Sequence, residues 1–296
     1  MRIAVTGSHG LIGSVLVLAL REAGHDVVQL VRSAPAGPHE VRWDPAAGTI
    51  DVAGLAGVEA AVHLAGAGVG DHRWNDRYKQ VVKDSRVLGT RTLVKALTSL
   101  DPLPRVLISG SAIGYYGDRG DEVLTEDSGP GQGFLVDVVE AWEAEADPAR
   151  AAGIRVVHPR TGLVMARSGG AFAQLRLLAR FGLGGPLGNG RQWWSWITLP
   201  DPIAALIHLL DCELAGPVNL TAPEPARNAE VIRAVARAFH RPALLPEPAF
   251  ALKLVLGEFA GEVLASQHVV PDRLTGDGFT FQHATLPAAA AWMANR

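Results

Sequence analysis

Thr6-Gly7-Ser8-His9-Gly10-Leu11-Ile12-Gly13 follows the apolar run Arg2–Thr6 directly and opens the apolar stretch Leu11–Ala23. Glycines at this spacing allow a tight turn and let backbone N–H groups come close to an anion, and a helix N-terminus behind the turn adds its dipole. Such a turn, here with Gly7, Gly10 and Gly13 three residues apart, cradles a pyrophosphate on the helix N-terminus behind it, which makes a dinucleotide the candidate ligand. An ordinary strand–helix turn is the competing reading. Eighteen residues beyond Gly13 the run Asp26–Val31 ends, and Arg32-Ser33 follow with no acid before Glu40. An acid at that place holds the ribose hydroxyls of NAD, whereas an arginine accepts a 2′-phosphate through forked, charge-assisted bonds. NADP(H) is therefore expected over NAD, with Arg32 and Ser33 deciding it. Against this stands the Arg-rich character of the chain, where Lys occurs only at 79, 83, 95 and 253, which leaves Arg32 readable as one more solvated arginine.

These residues need elements to hold them. Short β-branched or apolar runs alternate with longer helical patterns through the first two hundred residues, which predicts a Rossmann-type, doubly wound parallel α/β sheet. The predicted strands are Arg2–Thr6, Asp26–Val31, Glu59–Leu64, Arg105–Ser109, Ile154–His158 and Pro217–Thr221. Helices are predicted over Leu11–Ala23, about Arg73–Leu100 and Phe134–Ala151. In the last, Leu135, Val138, Val139 and Trp142 fall on one helical face. After about Thr161 the texture changes to a glycine-rich loop, Gly182–Gly190, followed by Arg191-Gln192-Trp193-Trp194. Asp201-Pro202 then reads as N-cap and first residue of a helix to about Leu210. Prolines 223, 225, 242, 246 and 248 punctuate further helices around Ala229–Phe239 and Ala249–Ala265. The expected division is a nucleotide-binding domain of 1–165 plus about 199–221, and a smaller α+β lobe of about 166–198 and 222–296.

Charge and composition exclude several classes. With 27 Lys+Arg against 30 Asp+Glu the net charge is −3, too little positive field for a nucleic-acid backbone, so no nucleic-acid partner is expected. A single cysteine, Cys212, forms no internal disulfide, and no histidine pair has the helical spacing of a metal site, so no metal is expected. The apolar run Leu11–Leu20 is shorter than the ~18 residues of a membrane span, and Gly13 and Ser14 interrupt it. A cytoplasmic monomer or homodimer with no membrane partner, acting on a small molecule, fits these features.

More of the chain then resembles a known superfamily. The Thr-Gly-x-x-Gly-x-x-Gly start, His63-Leu64-Ala65-Gly66, Arg86-Val-Leu-Gly89-Thr90 and Ser109-Gly-Ser111-Ala-Ile-Gly-Tyr115-Tyr116-Gly117 resemble the extended short-chain dehydrogenase/reductases. Trp142-Glu143, the stretch Gly184–Ile197, Gly216-Pro-Val-Asn-Leu-Thr-Ala-Pro-Glu224 and Val269-Val270-Pro271 resemble its atypical sugar-nucleotide epimerase-like subgroup. The resemblance implies a coenzyme whose pyrophosphate is lined by Gly7, Gly10, Leu11, Ile12 and Gly13 and whose 2′-phosphate meets Arg32. It also implies that Leu64 and Ala65 line the adenine-to-ribose side, that Arg86 reaches the coenzyme in place of an asparagine, and that Arg160 to Leu163 border the nicotinamide half.

The superfamily's chemistry rests on a Tyr-x-x-x-Lys pair, whose Lys lowers the phenol's pKa so that it can exchange a proton with a substrate oxygen. Four residues after Tyr78, Tyr115 and Tyr116 stand Val82, Arg119 and Gly120, so the chain contains no such pair. Counted back from Glu143, its places hold Leu135 and Val139. Ser111 stands in the catalytic serine position, and Tyr115 and Tyr116 are the remaining candidate acids, although tyrosines in a Gly-flanked loop are more often packing anchors. Gln192, Trp193 and Trp194 beside Arg191 offer a substrate-side stacking surface, or alternatively an internal clamp. Two functions stay open: an NADP(H)-dependent oxidoreductase or epimerase-like enzyme, and a catalytically silent NADP(H)-binding regulator or scaffold.

Overall fold

Ile3, Ala4 and Val5 are shielded on both faces of their strand, the pattern of a central parallel strand covered on both sides. The computed structural model describes residues 1–243 and 245–295, with the side chain of Ala171 excepted. Its main sheet is built from β1 (Arg2–Thr6), β2 (Asp26–Val31), β3 (Glu40–Asp44), β4 (Thr49–Ile50), β5 (Ala60–His63), β6 (Val106–Ser109), β7 (Arg155–Thr161) and β8 (Gly216–Leu220). The order across it is β8-β7-β6-β5-β1-β2-β3-β4, with the short strand Ser111–Ala112 also paired to β7. Ile3 faces Val27 on one side and Ala60 on the other, both parallel. The chain winds outward from β1 through β2 and β3, then returns to β1's other side at β5. Ligands of doubly wound sheets gather beyond the strand ends at such a reversal. This is the α/β class the alternation of runs predicts.

The helices are α1 (Leu11–Glu22), α2 (Asp76–Leu97), α3 (Phe134–Ala144), α4 (Asp147–Ala151), α5 (Gly170–Phe181), α6 (Pro200–Asp211) and α7 (Asn228–Ala238), with shorter ones following to Leu286–Ala294. Asn75 starts α2 by accepting the Tyr78 N–H on its side chain at 2.8 Å. The single helix predicted over Phe134–Ala151 is two, with Pro148 in the first turn of α4, where its missing N–H costs nothing. The long helix predicted from Ala249 ends at Leu256, where Gly257 turns out with φ +64°. The strands β3 and β4 escape the sequence reading: Val41 and Trp43 alternate inward with period two, but the run is short and bounded by Pro and Gly. Asp201 lies inside the first turn of α6 rather than capping it. Its buried carboxylate accepts from Thr198 Oγ1 at 2.9 Å and from the N–H groups of Gln282 and His283.

The chain divides into two compact units. The first comprises Met1–Ala112, Asp137–Arg160 and Ile203–Val218, and the second Ile113–Val136, Thr161–Pro202 and Asn219–Arg296. In the first unit the sheet packs on Val28, Val41, Trp43, Leu55, Leu93 and Leu107, among others. In the second, Met165, Phe172, Trp194, Trp196, Val231 and Met293 form one core, and Ile113, Tyr116, Leu124 and Val269 a smaller one. No helix among the described residues is long and apolar enough to cross a membrane.

Candidate functional site

The glycine turn lies at the sheet's reversal point, between the ends of β1 and β5. Gly7 has φ +67°, and a Cβ there would stand 2.7 Å from the Leu64 carbonyl carbon. At Gly13 a Cβ would fall 2.1 Å from Gly7 O. Both places therefore demand glycine, because the turn is pressed against the end of β5 on one side and against the helix on the other. Gly10 N–H donates to Gly7 O, and the first helical bond runs from Ser14 N–H to Gly10 O at 3.0 Å. The N–H groups of Leu11, Ile12 and Gly13 are thus left without intrahelical acceptors, at a helix end with no acid in its first turn and no side-chain cap. Positive dipole and free donors together make an anion cradle, so the residues present fit a dinucleotide's pyrophosphate.

Thr6 ties this turn to the next strand. Its Oγ1 accepts the N–H groups of Leu64 and Ala65, each at 3.1 Å, and lies 2.7 Å from His63 Nδ1. Arg32 and Ser33 are exposed just past β2, and Arg32 makes no ion pair among the described residues. Arg86, half-buried on α2, donates through Nη1 to the carbonyls of Ala67 and Val82 at 3.0 Å each, and its guanidinium lies 5.1 Å from the centre of the Trp142 ring. No carboxylate pairs with it among the described residues. Burial, opposed weakly by Tyr78, lowers its pKa to about 10, so it is still a cation at neutral pH. A half-buried cation that donates to carbonyls and faces a ring suits a ligand anion.

Farther along the same unit, Ser111, Glu143 and Arg160 form one cluster. Arg160, 3% exposed, grips Glu143 with Nε to Oε1 and Nη2 to Oε2, both at 2.9 Å. Ser111 Oγ donates to Glu143 Oε1 at 2.6 Å. Burial works to raise the Glu143 pKa, but the Arg160 hydrogen bonds and charge, with smaller help from His158 and Ser111, hold it below the usual carboxylate value. Glu143 is accordingly ionised and acceptor-only. Val139 on the same helix is 3% exposed.

The second unit holds the other candidates. Tyr115 is half-buried and meets Tyr116 edge-on, and Tyr116 is fully buried with its hydroxyl donating to Asn219 Oδ1 at 2.8 Å. Leu163 is half-buried in a short parallel pairing with Trp196. Gln192 is buried and donates to Leu187 O. Trp194 is part of the core against Phe172. Trp193 stacks on His268 at 3.9 Å, carries the Arg227 guanidinium 4.1 Å from its centre, and donates its indole N–H to Asp121. Its ring is thus engaged by side chains of its own unit.

Within the first unit, then, the structure brings Gly7, Gly10, Leu11, Ile12, Gly13, Leu64 and Ala65 to one strand-end crevice. The sequence reading missed the roles of Thr6, His63 and the Glu143–Arg160 pair. Thr6 and His63 sit inside motifs read for their neighbours, and nothing local links Glu143 to a partner seventeen residues away.

Residues 3–221 match the model of the NAD dependent epimerase/dehydratase family, and residues 248–293 match a domain of unknown function, DUF1731. An epimerase family protein of Mycobacterium bovis is 42% identical, with 99% of this chain and 98% of that protein covered. One from Staphylococcus aureus is 34% identical, covering 96% of each. Among solved structures, the human epimerase family protein SDR39U1 with NADPH superposes with a TM-score of 0.90 at 33% identity over 99% of both chains. The UDP-N-acetylglucosamine 4-epimerase of Bacillus cereus shares the fold, with a TM-score of 0.78 at 19% identity over 99% of this chain and 98% of that one.

Proposed function

This chain belongs to the NAD dependent epimerase/dehydratase family, and from that premise we propose that it binds NADP(H) in its first unit and acts with it on a small carbonyl or sugar-nucleotide substrate. The observation that carries the reading is the glycine turn packed on Leu64 and Ala65 at the reversal point of the sheet. Gly7, Gly10, Leu11, Ile12 and Gly13 hold the pyrophosphate through backbone N–H groups and the helix dipole. Arg32, with Ser33 beside it, receives the 2′-phosphate, and Arg86 supplies a second, half-buried positive charge. The preference for a phosphorylated coenzyme is supported by Arg32 standing where an acid would favour NAD, and by the NADPH in the human relative's structure. A bound nicotinamide supplies hydride exchange with a substrate carbon. Calorimetric titration with NADPH and NADH separately tests the proposal: tighter binding of NADPH is expected, and equal affinities or no binding would sink it.

A second reading has its own observation. Ser111 commits its proton to Glu143, and Val139 is buried where the superfamily uses a lysine, so the usual proton donors are missing from this cluster. Under that reading the protein is an NADP(H)-binding regulator or scaffold. Deuteride from labelled NADPH separates the two: transfer into any member of a carbonyl and sugar-nucleotide panel identifies the enzyme, whereas tight binding without transfer across the panel favours the regulator.

A further inference from the structure

Thr6 Oγ1 has one proton and two lone pairs. The N–H groups of Leu64 and Ala65, each 3.1 Å away, occupy both lone pairs. The hydroxyl proton therefore points at the remaining neighbour, His63 Nδ1 at 2.7 Å, and this nitrogen must be bare. His63 is then neutral with its proton on Nε2. That nitrogen is buried with no partner among the described residues; beside it lies Gly89, where a Cβ would come within 3.3 Å of His63 Cε1, and the Trp43 ring meets the imidazole edge-on with 6.0 Å between centroids. A buried donor left unpaired is unfavourable, so the ring is held in this orientation by what its other nitrogen does.

We propose that His63 is a positioning residue for the coenzyme turn: by accepting the Thr6 proton through Nδ1 it reserves both Thr6 lone pairs for Leu64 and Ala65. This rests on the NADP(H) reading above and adds a residue to it. The two N–H bonds fix the peptides on either side of Leu64, and the second of these, between Leu64 and Ala65, is the floor on which Gly7 lies, at the distance where even a methyl group would collide. A displaced floor would misdirect the N–H groups of the turn. A neutral ring agrees with its setting, because burial first and the Arg86 charge second lower the His63 pKa to about 4.

Two measurements test this. In the apoprotein labelled with 15N-histidine, His63 should show a pyridine-type Nδ1 and a pyrrole-type Nε2, unchanged from pH 8 to pH 5. The opposite tautomer, or titration within that range, overturns the hydrogen accounting. His63→Asn keeps an acceptor near the Nδ1 position and His63→Leu removes it. Both should lose comparable thermal stability, yet the Leu variant should bind NADPH roughly tenfold or more weakly while the Asn variant stays within about threefold of the parent. Equal affinities in all three proteins, or equal losses in both variants, overturn the positioning role. If His63→Leu does not fold, His63→Phe, which likewise offers no acceptor to the Thr6 hydroxyl, is held to the same comparison with His63→Asn. Failure of the parent protein to bind NADPH would overturn the coenzyme reading and the positioning role with it, but the tautomer result would still stand by itself.

Discussion

The Ser111 hydroxyl gives its only proton to Glu143, at 2.6 Å, and Glu143 is kept ionised by the two-pronged grip of Arg160. Ser111 thus presents lone pairs, and no proton, to anything that approaches it. A serine in this state accepts from a hydroxyl or N–H group and does not stabilise a carbonyl oxygen as it gains charge. Its lowered pKa makes the same carboxylate a weaker base toward the Ser111 proton than an ordinary glutamate.

Removing the carboxylate should be costly. Glu143→Ala takes the carboxylate from buried Arg160, and such one-sided removals cost about 3 kcal/mol. Chemical denaturation of parent and variant measures this, and a loss below about 1 kcal/mol would show that Arg160 is rehydrated in the variant.

Acid should destabilise the protein in two stages. His63 has a folded pKa of about 4 against 6.5 when unfolded, so the unfolded chain binds the extra proton first and stability falls as pH drops from 6.5 toward 4. Glu143, whose pKa is depressed in the fold, contributes stability that is present above the ordinary carboxylate value and is lost as pH falls through its lowered one. Denaturation midpoints from pH 8 to pH 3 check both, and His63→Asn should make the upper stage shallower, with His158 and His268, whose pKa values burial also lowers, carrying the rest of it, and should leave the lower stage unchanged.

Gly13→Ala places a methyl group 2.1 Å from Gly7 O, a clash with backbone that no side-chain motion relieves. NADPH affinity should drop by roughly tenfold or more, about 1.4 kcal/mol. Calorimetry measures the affinity, and circular dichroism checks that the sheet persists.

Arg32→Ala should lose the charge-assisted bonds to the 2′-phosphate, about 2 kcal/mol or roughly thirtyfold in NADPH affinity, while NADH binding stays unchanged. Parallel loss of both coenzymes would assign Arg32 a role in folding instead.

The superfamily's relay should not be restorable by simple substitution. Val139→Lys would bury an ammonium at a site with 3% exposure, costing roughly 3 kcal/mol, so the variant should unfold at lower denaturant and recover part of the loss at high pH. A variant as stable as the parent would mean that the lysine reaches a carboxylate or water.

The sheet was legible because β1, β2, β5 and β6 are short apolar runs bounded by turn residues, and the glycine turn because its spacing is a local pattern. β3 was not, since five residues of alternation among Pro and Gly carry little periodic signal. The break between α3 and α4 was hidden because apolar spacing stays helical through Trp142 and only Pro148 marks the stop. Arg32 and Arg86, coenzyme contacts as proposed, each stand out in the sequence alone, one by following β2 and one by its motif. The bond from Ser111 to Glu143 spans thirty-two residues of chain, and the Glu143–Arg160 pair joins a helix to a strand. Such partners meet only through tertiary packing, so no sequence spacing announces them. Trp193 shows the converse: a Trp-Trp pair beside arginine suggests a stacking shelf, and the fold fills that shelf with His268 and Arg227.

The contrast between exposed Arg32 and buried Arg160 has an ionic-strength consequence. Counterions screen an exposed charge over a Debye length of ~8 Å at physiological salt and ~3 Å at 1 M, but they scarcely enter a site 3% open to solvent. Salt should therefore act as a dial on one arginine and leave the other alone. With Arg32 receiving the 2′-phosphate as proposed, raising it should erode the preference for NADPH over NADH while the Glu143–Arg160 lock keeps its strength, so a salt series would separate coenzyme choice from what holds the fold.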